Sequence, residues 1–234
     1  MKRFYQNATV IEAAGGFAVS LDDKPVRTPA KQALLVPTRA LAEAVADEWR
    51  AQGDTVNPRS LPLTRLVSIA LDLVEPRRDE VVAELAKYAG TDLVCYRAET
   101  PPVLTARQHG TWQPLVDWAA LRFDAPLTVT AGVLPVTQPA DTLGAFERAL
   151  AAYDTPRLAA LHLATAACGS LVVALALVEG RIDAEAAFQA AELDASFEIE
   201  RWGEDTEQTH RRTALKADIA LARRFVDLLA PSAH

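Results

Sequence analysis

An uncharged run of 21 residues, 158–178, constrains the fold of this chain more than any other feature. The run is long enough to span a lipid bilayer. However, it contains His162, Thr165 and Ser170, is rich in alanine, and has no aromatic residues at its ends. A helix that is apolar all round is typical of the centre of a helical bundle, where other helices surround it. The sequence therefore predicts a buried helix here and no membrane insertion.

The first forty residues have the pattern of short strands and turns. Segments 8–13 and 17–21 are joined by Gly15 and Gly16, which predicts a β-hairpin. Further short strands are predicted at 26–28 and 33–36. An amphipathic helix at 39–52, with Thr38 as its N-cap, follows at once and can cover one face of the sheet.

The rest of the chain is dominated by helical periodicity. Strands are expected only at 92–98 and 127–136, and the predicted helices are 63–73, 77–89, 105–123, 143–153, 155–179, 183–202 and 206–229. Short breaks between the later helices favour antiparallel neighbours in a bundle. The predicted fold class is α+β, with a small N-terminal antiparallel sheet and its helices followed by an all-α C-terminal bundle. We expect two domains, 1–90 and 91–234, with a boundary between residues 75 and 100.

Segment 183–207 concentrates the negative charge of the protein. It carries nine acidic side chains and one basic one, Arg201, for a local charge of −8, whereas the whole chain has −7. Phe188, Phe197 and Trp202 recur near helical spacing, which favours an amphipathic helix over a disordered tail. Glu198, Arg201 and Asp205 have the spacing of helix salt bridges. Such a helix is either a surface for another molecule or a solvated face, and the basic residues of the last helix could neutralise it.

Several kinds of chemistry lack their usual motifs. The sequence pI of about 5.2 argues against nucleic-acid binding. Gly15 and Gly16 lack the helix and lysine of a phosphate loop, and Ser170, inside an apolar run, is expected to bond to the backbone one turn earlier. Glu207 and His210 match only half of a di-iron motif. Two cysteines in apolar runs are expected to be buried thiols. We therefore predict no catalytic residue, no metal and no cofactor.

A set of short phrases, taken in order, resembles a known family. These are Gly15-Gly16-Phe17; Leu21-Asp22 with Pro25-Val26-Arg27-Thr28-Pro29; Ala46 with Glu48-Trp49; Pro62-Leu63-Thr64; Thr91-Asp92-Leu93 with Cys95-Tyr96-Arg97-Ala98; Trp112 with Pro114-Leu115; and Trp202-Gly203-Glu204. The family is the assembly chaperone of the F1 sector of ATP synthase that acts on the α subunit. The resemblance extends from about Phe4 to about Leu229.

The resemblance implies a function without catalysis. A member of this family would hold the new α subunit, and prevent its aggregation, until a β subunit replaces the chaperone. It also implies an N-terminal mixed domain, a helical C-terminal domain, and a functional glutamate late in the helical region. Mitochondrial members carry a presequence that is not seen here, so the expected setting is the bacterial cytoplasm.

The predicted client-binding residues come mainly from the acidic segment. They are Asp194, Glu198, Trp202, Glu204, Asp205 and Glu207, together with Arg27 from the N-terminal part. Trp202 fits either a core position or an interface anchor, and Arg27 either a turn or a binding face. No small-molecule substrate is expected, but two alternatives remain: an enzyme with carboxylates in an inter-domain cleft, and a membrane-embedded protein.

Overall fold

The computed structural model describes residues 2–132 and 134–230, in which short strands come first and helices follow. The strands are β1 (Ala8–Ala13), β2 (Gly16–Leu21), β3 (Lys24–Pro25), β4 (Leu35–Val36), β5 (Tyr96–Arg97) and β6 (Thr130–Ala131). The helices are α1 (Arg39–Arg50), α2 (Pro62–Ile69), α3 (Arg78–Gly90), α4 (Pro102–Phe123), α5 (Ala140–Ala151), α6 (Thr155–Cys168), α7 (Leu171–Val178), α8 (Ala184–Ala191), α9 (Leu193–Trp202) and α10 (Thr206–Leu228). The predicted α+β class, with a small antiparallel sheet before a mainly helical part, is confirmed.

The predicted hairpin is the centre of the N-terminal sheet. β1 and β2 pair antiparallel, with Ala13 opposite Gly16 at the turn, and both β3 and β4 pair with β2. A Cβ at Gly16 would lie 2.3 Å from the carbonyl oxygen of Val36, so this close approach of two strands requires glycine. α1 packs on β1 and β2.

The start of α1 also follows the prediction, because the hydroxyl of Thr38 accepts a hydrogen bond from the backbone N–H of Leu41. One further carboxylate joins α1 to α2. The Glu48 oxygens accept from the backbone N–H of Leu63 at 2.6 Å and from that of Thr64 at 2.9 Å. Two phrases of the resemblance, around Glu48 and around Leu63, are therefore in direct contact.

Most of the apolar run is buried, as predicted, but it forms two helices and not one. Every residue of α7 is buried, and this helix packs against α4 and α8. Gly169 separates α6 from α7 in a left-handed conformation (φ +62°), which glycine adopts at little cost. Ser170 then caps α7 by accepting from the N–H of Val173, so the expected bond to the preceding turn was wrong. No helix among residues 2–132 and 134–230 is long and apolar enough to cross a membrane.

Asp92 is the buried partner that fixes this break. Its carboxylate accepts from the Ser170 hydroxyl at 2.6 Å, from the Val172 N–H at 3.0 Å and from the Val94 N–H at 3.2 Å. The cap on Val94 starts a 3-10 turn, Leu93–Cys95, and only β5 remains of the strand predicted at 92–98. The strand prediction failed because the Asp92 side chain, and not a neighbouring strand, accepts the hydrogen bond of the Val94 backbone N–H.

The second predicted strand, at 127–136, is likewise shorter than expected. Only β6 is a strand, and it pairs in parallel with β5 through Tyr96–Thr130 and Arg97–Ala131. Val133, inside the predicted range, lies outside the described residues. Both cysteines, Cys95 and Cys168, are buried and free, and burial raises the pKa of each thiol to about 12.

Asp92 gives the stability of the protein a definite pH dependence. Burial raises the pKa of its carboxyl above the ordinary value, although the hydrogen bonds from Ser170, Val172 and Val94 oppose the rise. The folded chain therefore holds this proton more tightly than the unfolded chain does. The contribution of this proton to the free energy of unfolding is fully present below the ordinary pKa of about 3.9. It is lost as the pH rises through the higher pKa of Asp92 in the folded chain.

The replacement Asp92→Asn removes this titration while keeping the shape of the side chain. We expect the unfolding free energy of the wild type, minus that of Asp92→Asn, to fall as pH is raised from about 3.5 towards neutrality. Urea unfolding of both proteins at several pH values measures the difference. A difference that grew with pH would mean that the carboxyl is held ionised in the fold.

Contacts divide the described residues into two units. One comprises the chain before Asp79 together with Thr155–Ala160 and the part after Arg223, and it contains the sheet, α1 and α2. The other comprises Asp79–Asp154 and Leu161–Arg223 and is mainly helical. Such units are defined by contacts in the folded chain and not by independent folding, so the domains 1–90 and 91–234 stay a prediction.

Candidate functional site

A cleft of about 560 Å³ opens in the second unit, beside the acidic segment. We call it the acidic cleft. Its walls come from β5 and the residues after it, from the start of α4, and from one face of α9. The lining residues are Tyr96, Arg97, Ala98, Glu99, Thr100, Pro101, Leu104, Gln108, Gly132, Asp194, Phe197, Glu198, Arg201 and Trp202.

Gln108, a buried side chain of α4, holds the inner wall of the cleft together. Its amide nitrogen donates to Asp194 on α9 at 2.8 Å, and its amide oxygen accepts from the backbone N–H of Ala98 at 2.7 Å. The Arg97 guanidinium donates to the carbonyl oxygen of Gln108 at 3.0 Å and lies over the ring of Trp112. Gln108 therefore holds Asp194 of α9 in place and is itself fixed by Arg97 of β5 and by Ala98.

The outer wall of the cleft is formed by the last two turns of α9. Trp202 ends the helix and is 86% exposed, which is rare for a side chain of this size. The guanidinium of Arg201 lies over the ring of Phe197, 4.1 Å from its centroid. Within the described residues Arg201 makes no ion pair with Glu198 or Asp205, so the predicted helix salt bridges were wrong. The Phe197 ring competes for the guanidinium and leaves the Glu198 carboxylate exposed.

The acidic segment forms two helices, α8 and α9, and the predicted single helix 183–202 breaks at Glu192. The buried Glu192 carboxylate accepts from Arg211 at 2.7 Å and from Arg212 at 2.9 Å, and Lys216 pairs with Glu185 at 2.7 Å. The basic residues of α10 thus neutralise part of the segment, as the sequence suggested. The cleft carboxylates Asp194 and Glu198 are outside these pairs.

The structure brings three of the predicted residues together at the cleft: Asp194, Glu198 and Trp202. The other carboxylates lie elsewhere. Glu204 pairs with Arg212 at 3.3 Å, and Asp205 caps α10 by accepting from the N–H of Gln208. Glu207 is exposed in the first turn of α10.

Arg27 belongs to the first unit and does not line the acidic cleft. One of its guanidinium nitrogens donates to the carbonyl oxygen of Lys31 at 2.9 Å. Sequence reasoning missed Arg97 and Gln108, whose roles depend on contacts across the fold. Arg97 stands within one phrase of the resemblance, but its own sequence gave no reason to expect it at a cleft.

The chemistry of the acidic cleft suits a polypeptide segment. Its charged lining is Glu99, Asp194 and Glu198 against Arg97 and Arg201, and burial lowers the pKa of Arg97. Aromatic rings beside exposed carboxylates can take a basic or amide-bearing segment with an apolar side chain. In the part of the chain that the structure describes, no group of three or more His, Cys, Asp and Glu side chains could hold a metal ion.

Comparison with known proteins gives concordant results. The family model described as ATP12 chaperone protein matches residues 2–120. Protein atp12, mitochondrial, from Schizosaccharomyces pombe is 26% identical over 214 residues, which cover 86% of this chain and 74% of that protein.

Solved structures match over almost the whole chain. Atp12 from Paracoccus denitrificans is 41% identical with a TM-score of 0.94, and 98% of each chain is covered. An aspartate-to-lysine mutant of that protein gives the same values. The Atu1473 protein from Agrobacterium tumefaciens is 42% identical with a TM-score of 0.92, covering 98% of this chain and 86% of its own.

Proposed function

Because the chain belongs to the ATP12 chaperone protein family, we propose that it holds the unassembled α subunit of F1-ATPase until a β subunit takes its place. The phrases that resemble this kind of assembly chaperone run through nearly the whole chain, and the structural match does the same. The proposed setting is the bacterial cytoplasm, since the relatives of known structure are bacterial.

The physical need for such a protein follows from ring assembly. Each subunit of a ring exposes a large interface before its neighbours arrive. Exposed apolar surface of this kind drives aggregation unless another protein covers it. A chaperone for this step has to bind that surface tightly enough to protect it, and loosely enough to leave when the true neighbour arrives.

One observation carries the proposal: Trp202 is 86% exposed at the edge of a cleft that also contains Asp194 and Glu198. Burial of an exposed tryptophan is favourable, and here it can occur only when a partner covers the ring. Tryptophans are also enriched among the residues that dominate interface energies. The carboxylates beside it would steer and orient a basic segment of the client. We therefore propose that Trp202, Asp194 and Glu198 contact the α subunit.

The remaining predicted residues have weaker claims to direct contact. Glu204, Asp205 and Glu207 surround the start of α10, and their proposed role is to maintain the negative field next to the cleft. For Arg27, which lies in the first unit, we propose a separate contact with the client.

Co-expression with the α subunit of the same organism tests the function. We expect α to remain soluble and to elute with this chain as a one-to-one complex in size-exclusion chromatography. Expression of α alone, at the same level, is the control and should give aggregated α. If α aggregated equally in both cultures while this chain eluted unaccompanied, the proposed function would be wrong.

A further inference from the structure

A second cavity, of about 580 Å³, lies within the first unit. We call it the Arg27 groove. Five of its eleven lining residues are apolar, and the others include two arginines and one aspartate. The lining consists of Arg27, Thr28, Pro29, Pro58, Leu61, Thr64, Arg65, Ser68, Ile69, Asp72 and Leu73.

An irregular turn builds one wall of this groove. After α2 the chain continues as a π-helical turn, Ala70–Val74, in which the N–H of Glu75 donates to the carbonyl oxygen of Ala70. Such wide turns are uncommon and are frequent at functional sites. Here the turn carries Leu73, which is 36% exposed, next to Asp72.

Asp72 fixes the opposite wall. One carboxylate oxygen accepts from the hydroxyl of Thr28 at 2.7 Å, and the other accepts from the backbone N–H of Ala30 at 2.9 Å. The loop that carries Arg27 and Pro29 is thereby tied to the π-helical turn. The groove is held open in a defined shape before any partner arrives, which lowers the entropy cost of binding.

The charge of the groove is complementary to an acidic partner. Among the described residues that line the groove, Asp72 is the only acidic one, and both of its carboxylate oxygens are already engaged by the loop. The exposed side chains of Arg27 and Arg65 add positive charge beside Leu61, Ile69 and Leu73. An apolar floor with a cationic rim fits an apolar side chain followed by a carboxylate.

We propose that the Arg27 groove binds a short apolar segment of the client that carries an acidic residue. This inference rests on the proposed function, because the client is the same protein that the acidic cleft is proposed to hold. Two sites of opposite charge preference would fix the orientation of the client more strictly than one site alone.

Two substitutions in the groove test the inference by their effect on capture of purified α subunit. Leu73→Asp puts a charge on the apolar wall, and Arg27→Glu reverses the charge of the rim. We expect each to weaken binding about tenfold, with Arg27→Lys close to the wild type. The matched controls are Leu121→Asp and Lys24→Glu, at exposed positions that line neither cavity, and these should leave binding unchanged.

Hydrogen exchange of the wild-type chain gives a second readout without any substitution. Addition of α should slow amide exchange in residues 65–75, around the π-helical turn. Unchanged exchange there, together with unchanged binding by both groove variants, would overturn the inference. The oligomeric mass of this chain, measured without α, gives a further outcome. If a groove variant changed that mass, the groove would be a contact with a second copy of this chain, and the inference would be overturned as well.

The two proposals fail in different ways. If the wild-type chain does not bind α at all, the proposed function is wrong. If the wild type binds α, the groove variants bind it equally well and exchange in residues 65–75 is unchanged, only the Arg27 groove is assigned wrongly.

Discussion

Replacing Trp112 by alanine should lower the free energy of unfolding by about 4 kcal/mol. The side chain is fully buried in the second unit, and its indole N–H donates to the carbonyl oxygen of Ala190 at 2.8 Å. Truncation would leave a large cavity and an unpaired carbonyl group, and it would remove the ring that Arg97 covers. Denaturant unfolding followed by circular dichroism measures the loss.

Trp202 provides the matched control for this prediction. It is the same residue type, but it is exposed, and Trp202→Ala should change the unfolding free energy by no more than about 0.5 kcal/mol. The sequence left Trp202 open between a core residue and an interface anchor, and its exposure excludes the core. Equal destabilisation by the two substitutions would mean that Trp202 is covered by the protein itself.

Trp202→Ala should nevertheless weaken the binding of the α subunit by about thirtyfold. The reason is that the exposed ring would become buried only in the complex. Glu198→Lys, in the same cleft, should weaken binding about tenfold and reduce the association rate most, because it reverses a steering charge. Titration of purified α with each variant, at one fixed salt concentration, gives the dissociation constants.

The control for the charge reversal is Glu207→Lys. This residue is exposed in the first turn of α10 and does not line the acidic cleft. Glu207→Lys makes the same charge change as Glu198→Lys. Because Glu207 lies outside the cleft, its replacement should alter binding by less than about threefold. If Glu207→Lys weakened binding as much as Glu198→Lys, the general field of the acidic segment, and not the cleft, would carry the interaction.

Local patterns predicted the elements whose causes are local. The hairpin at Gly15 and Gly16 and the N-cap at Thr38 depend on residues within a few positions of one another, and both are present. Burial of most of the run 158–178 follows from its apolar composition. Each of these features would form for the same reason in many different folds.

The failures come from contacts between distant segments. The break at Gly169 was missed because Ser170 becomes a cap with the help of Asp92, which lies 78 residues away in the sequence. Asp92 also explains the missing strand at 92–98, since its side chain satisfies backbone groups that a strand would leave for a neighbour. Periodicity within a window of the sequence contains no information about either contact.

Local sequence patterns were also insufficient to identify the cleft residues of the acidic segment. Its composition indicated a surface, but it could not separate Asp194 and Glu198, which line the cleft, from Glu204 and Asp205, which do not. One local signal was available for Asp205. With Gln208 three residues later, it has the spacing of a capping box and therefore of a helix start. Asp194 is placed at the cleft by its hydrogen bond with Gln108, 86 residues away in the sequence.

Addition of purified β subunit to the isolated complex with α tests most directly whether this chain holds α only until β replaces it. We expect α to move into a complex with β and this chain to elute alone. Buffer without β is the control and should leave the complex intact. A complex that kept its α subunit in the presence of excess, assembly-competent β would mean that this chain does not give way to β, and the proposed function would be wrong.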